Sequence, residues 1–204
     1  MGLYFRLSRT LVILAVVGIG VAQAIGDVQP VAFAAIFTNP DGTRCQRPCL
    51  LGVRPGITSS KQGFEILQAH PFTRNFEPDI TRGLFTGPGL SVILFTGEDG
   101  VVTRIDLIRT DKVLPAPDWA ALGDVLAIFG VPDRVGVDEE FTRSYYVAEQ
   151  VMFIHRHTTQ ERIRSDERFE DIFVYGRPLP VPANLMEWHG FSTFRRYLTE
   201  DLPG

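Results

Sequence analysis

The chain holds only two cysteines, two lysines and four histidines. It has no G-x-S-x-G, no H-E-x-x-H, no Walker loop and no G-x-G-x-x-G, so the commonest hydrolase, zinc, nucleotide and dinucleotide signatures are missing. Positive charge is scarce too. Twenty Lys and Arg face twenty-four Asp and Glu, a net charge of −4. Without Arg6 and Arg9 the remainder stands at 18 minus 24, or −6. That balance argues against a phosphate-backbone binder, and no nucleic-acid partner is expected. Long apolar runs are missing after the first one. What remains is an ordinary globular composition, rich in Phe, able to bury a real core.

The one apolar run is N-terminal. "MGLYFRLSRTLVILAVVGIGVAQAIGD" places Arg6 and Arg9 before an uncharged stretch from Leu11 to Gly26. Positive charge ahead of an apolar run is the pattern of export, with the N-terminus kept inside. Ala22-Gln23-Ala24 offers an A-x-A cleavage site, in which case the chain is secreted. As a retained anchor the run spans about 24 Å at about 1.5 Å per residue, short of a hydrocarbon core of about 30 Å. Snorkelling by Arg9 and an interfacial Leu3–Phe5 would make up the difference. A buried N-terminal helix is the plainer alternative. Residues 1–26 are therefore read as signal peptide or anchor, and the rest as lying outside the bacterial cytoplasmic membrane.

In that setting Cys45 and Cys49 are expected to form a disulfide. Two unpaired core thiols and a redox pair remain as alternatives; the C-x-x-x-C spacing does not favour the latter. A metal site would need more ligands than these. Residues 27–51, with the pair, read as an extended linker.

From Gly52 on, one pattern occurs twice. Residues 52–112 hold a helix with a Ser59/Gln62 capping box and an apolar Phe64–Leu67 side, ended by Pro71. Three strands follow in "DITRGLF", "LSVILF" and "VVTRIDLI", with Gly87–Gly89 and Asp99-Gly100 as turns. Residues 113–176 hold a helix capped by Asp118. Its apolar stripe is Trp119, Leu122, Val125, Leu126 and Phe129, with Ala121 off the stripe, and Gly130 and Pro132 end it. "FTRSYYVA", "QVMFIHRHT" and "FEDIFVYG" follow as strands. The expected fold is α+β, two tandem helix-plus-three-strand antiparallel units after an N-terminal membrane segment. Residues 177–204 read as a Pro-rich strap, "RPLPVPAN", and a short helix, "FSTFRRYL".

The segment "NPDGTRCQRPCLLGVRPGIT" together with "LGDVLAIFGVPDRV" resembles uncharacterised bacterial membrane-anchored exported proteins. More distantly, Gly130-Val131-Pro132 and the strands from Phe95 to Ile105 resemble the tandem helix-plus-sheet modules of the outer-membrane assembly lipoprotein and beta-lactamase-inhibitor-protein type. That resemblance implies a non-enzymatic binding module. The chain lacks the lipoprotein cysteine of the former.

Candidate chemistry is sparse. His155 and His157 lie two apart on a strand, so they share a face and could begin a metal site with His70 or His189. The competing expectation is an exposed strand face. Asp138, Glu139 and Glu140 lack the spacing and glycine of a calcium loop and read as a solvated turn. Glu98 and Asp99 suit a turn. His70 reads as a helix-end residue. Arg143 with Tyr145 and Tyr146 forms the most suggestive binding set, although alternation should bury one tyrosine. No cofactor is expected. Two functions stay open: a membrane-tethered binding or scaffold module for a protein or envelope partner, and an extracytoplasmic hydrolase using His and carboxylate groups.

Overall fold

The computed structural model describes residues 31–110, 121–138, 140–156, 163, 165 and 167–191. The proposed anchor, its cleavage site, Asp118, Trp119, Glu139, His157 and all of the "FSTFRRYL" segment after Phe191 lie outside the described residues. Among those described, no helix is long and apolar enough to cross a membrane.

From Phe33 on the chain forms one compact unit. Its helices are α1 (Val31–Ala35), α2 (Ser60–Ala69) and α3 (Leu122–Phe129). Its strands are β1 (Glu77–Asp79), β2 (Leu84–Gly87), β3 (Leu90–Thr96), β4 (Val102–Arg109), β5 (Arg134–Val137), β6 (Phe141–Tyr146), β7 (Val151–Arg156) and β8 (Arg168–Tyr175). All eight strands make a single antiparallel sheet in the order β1-β2-β3-β4-β8-β7-β6-β5. The α+β class stands. The expected pair of three-stranded units does not, because β4 pairs with β8 and fuses both halves into one sheet. Four strands follow each of α2 and α3, since "DITRGLF" breaks at a turn into β1 and β2, and "PDRV" opens β5.

Local chemistry explains most elements. Ser59 Oγ accepts from Gln62 N–H, and the Gln62 side chain accepts from Ser59 N–H, closing the capping box of α2. The helix stops at His70, whose extended backbone precedes Pro71. The β3–β4 hairpin turns where Asp99 Oδ1 accepts from Val101 N–H and Gly100 takes φ +75°. Helix α3 starts later than the apolar stripe suggested. Ala121 is its N-cap, and Asp124 reaches back to accept from Ala121 N–H at 2.8 Å.

The helices cover one face of the sheet. Phe33 of α1, Leu67 of α2 and Val125 of α3 share a buried cluster with Val92, Leu107, Ile172 and Phe153 from four strands. Phe153 is its hub, within ring contact of Phe33, Phe37, Phe129, Tyr146 and Phe169. Residues read as a linker supply part of this core: Phe33, Ile36, Leu50 and Leu51 are fully buried. Leu126, expected at the centre of the helix's buried face, is only partly buried, against Leu122, Val135 and Ile163. Ala121 is not a spare position, since it bridges Arg168.

Candidate functional site

The cysteines lie together. Cys45 and Cys49 are buried, their Cα atoms 6.1 Å apart and their sulfurs placed for a disulfide. Inside this small ring sits Arg47. Its guanidinium lies 4.2 Å over the Phe129 ring, pairs with Glu149 at 3.2 Å and donates to the Ile128 carbonyl at 3.3 Å. The ring thus holds a cation at the C-terminal end of α3, where orphan carbonyls and the helix dipole favour one.

His155 does not lie on an exposed face, and His157 lies outside the described residues. His155 is fully buried on the helix-covered side, its ring 4.5 Å from that of Phe169. Thr142 directly opposite it is equally buried. Among the described residues no group of three or more His, Cys, Asp or Glu is placed to hold a metal ion. His70 is buried at the end of α2. Its Nδ1 accepts from Phe72 N–H at 3.2 Å, and burial pushes its pKa down.

The set Arg143, Tyr145 and Tyr146 splits across the sheet. Tyr146 enters the core, donates its hydroxyl to the Gly130 carbonyl at 3.0 Å, and is raised in pKa by burial. Arg143 and Tyr145 share the other face. Arg143 is paired with Asp138. Tyr145 is only 4% exposed, so both tyrosines are buried rather than one. The strap explains this. Met186 exchanges both backbone hydrogen bonds with Val135, and Leu185 reaches over Gly136 beside the Tyr145 ring. A Cβ at Gly136 would come within 2.9 Å of Leu185.

Away from the strap this second face is open, and sequence reasoning passed over its residues. Across β3, β4 and β8, Phe95, Arg104 and Tyr175 stand side by side in register. Phe95 is 38% exposed, and the Arg104 guanidinium lies 3.9 Å from its ring centre. The next row is Ile93, Asp106, Phe173 and Met152, half-buried except for Asp106, which is 1% exposed. Arg104 Nε stands 2.8 Å from Asp106 Oδ1 but out of hydrogen-bond alignment, so the attraction is Coulombic. Burial outweighs that attraction. It pushes the Asp106 carboxyl up to about 7, against the pull of Arg104 and with a further push from Asp171. The signal available in the sequence was "VTRIDLI", where a strand puts Arg104 and Asp106 on one face and apolar residues on the other. The arrangement is an apolar, aromatic platform with one stacked cation and one buried acid, suited to holding a partner's side chains. No family model matches the chain, and neither a curated protein nor a solved structure matches it.

Proposed function

We propose that the chain is a non-enzymatic binding module that docks a protein or envelope component on the open end of the sheet face formed by β3, β4 and β8. The observation that carries this reading is the Phe95–Arg104–Tyr175 row above buried Asp106. Protein interfaces rest on a few aromatic and Arg anchors of this kind. Arg104 is held in place by its stack and its carboxylate, so little side-chain freedom is lost on docking. In this reading the N-terminal segment tethers the module to the outer side of the cytoplasmic membrane. The hydrolase alternative called for a histidine converging with carboxylates in a cleft, and the burial of His155 gives it no support.

The test is site-specific photo-crosslinking in cells making the full chain. A photoreactive residue at position 95 should give discrete adducts that Arg104→Ala removes. The same residue at Lys61, exposed on α2, should give none. Equal adducts at both positions, or none at position 95, would remove the sheet face as the docking surface.

A further inference from the structure

The loop "GVRPGIT", Gly52–Thr58, is held together by its own hydrogen bonds. Arg54 N–H donates to Thr58 Oγ1 at 2.9 Å, and Thr58 N–H donates back to the Arg54 carbonyl at 2.9 Å. Gly56 N–H donates to the Val102 carbonyl, and Val102 N–H donates to that of Thr58, which fastens the loop to β4. Gly52 takes φ +78°, and a Cβ there would sit 3.0 Å from both Ile66 and Pro40. Only glycine lets the chain come this close to α2.

A groove of about 490 Å³ runs between this loop and α2. Its volume is that of a small-molecule site. Pro40, Ile57 and Ile66 give it apolar walls, and Ile57 is 62% exposed. Two opposite charges line it, Arg54 from the loop and Glu65 from α2. Neither forms an ion pair among the described residues. Arg54 is partly exposed, and its Nε is buried without an acceptor among the described residues. A buried guanidinium nitrogen left so is costly, and carboxylate recognition is the task that a fixed guanidinium serves best. Glu65 on the opposite wall disfavours a simple anion and favours a ligand that also carries an ammonium group.

We infer that this groove binds a small zwitterion, an α-amino acid with an apolar side chain. Its carboxylate faces Arg54, its ammonium group faces Glu65, and its side chain lies against Ile57 and Ile66. The site is independent of the sheet-face platform. Three probes separate its parts by calorimetric titration of the full chain: leucine, 4-methylpentanoate, which lacks the ammonium group, and 3-methylbutylamine, which lacks the carboxylate. Leucine should bind with one site, and each truncated probe should bind about tenfold or more weakly, as expected for one lost charge-assisted contact. Arg54→Gln should erase the preference for leucine over the amine. Glu65→Gln should erase the preference for leucine over the acid. Glu65 is exposed, so this second variant reports even if Arg54→Gln does not fold. The inference is overturned if leucine does not bind, if the three probes bind alike, or if Glu65→Gln leaves their order unchanged.

Discussion

The two faces of the sheet are made from the same strands, yet they solve different problems. On the helix-covered face Phe153, Phe169, Ile172 and Val174 meet Phe33 and Phe37 in a buried aromatic core. On the other face Phe95, Phe173 and Tyr175 meet a guanidinium and a carboxylate instead. Aromatics occur on both, so their presence does not tell core from platform. What tells them apart is exposure: Phe95 is 38% exposed, whereas Phe33 and Phe153 are fully buried. Arg104 and Asp106 cost burial energy that an all-apolar row would not. Their retention beside an exposed Phe95 is what the proposed docking reading rests on.

The sharpest break of this comparison is Phe153→Ala. Removing the hub of the covered face should cost about 3–5 kcal/mol, read as a lower urea midpoint at unchanged slope. A cost near that of a surface change would show that the covered face is not the core.

Asp106 comes next. Its folded-state pKa, about 7, lies above the ordinary 3.8. An acid with a raised folded pKa contributes stability that is fully present below pH 4 and is lost as pH rises through about 7. The wild type should therefore weaken between pH 4 and 7 and level off above, by a few kcal/mol at most. Asp106→Asn should flatten that slope. Denaturation midpoints across this window decide it, and parallel profiles for the two proteins would return Asp106 to an ordinary carboxylate.

Smaller effects sharpen the comparison within each face. Leu126→Ala, at a half-buried site beside Leu122 and Val135, should cost about 1–2 kcal/mol, below the usual range for a buried leucine. Equal loss at Leu126 and fully buried Val125 would show that α3 is rotated from the placement described. Last, Phe95→Ala should change stability by less than about 1 kcal/mol, since it removes an exposed ring and one cation–π contact. A loss as large as that at Phe153 would make the open face part of the core.

Much of the fold was legible where local chemistry decides it. The Ser59/Gln62 box, the Asp99-Gly100 turn and the strands from Leu90 to Arg109 and from Phe141 to Tyr175 follow from caps, turn residues and alternation. The short strands β1 and β5 were hidden because three or four residues carry no period. The platform was hidden for another reason. Arg104 and Asp106 read as an ordinary polar side of a strand, and only pairing with β3 and β8 brings Phe95, Phe173 and Tyr175 around them. The tyrosine pair misled because alternation assigns faces but cannot show that a distant strap brings Leu185 over Gly136 on the face of Tyr145.

By itself, then, the sequence determined the α+β class, the order of most elements, the cysteine pair and the lack of recognisable catalytic motifs, because each rests on contacts between residues near in the chain. The tertiary structure decided that the two halves share one sheet and that residues 33–53 belong to the core. It also decided which face the helices leave uncovered. Those outcomes depend on pairing across long separations, β4 with β8 and Arg47 with Glu149, where the free energy comes from burial and register rather than from any local pattern.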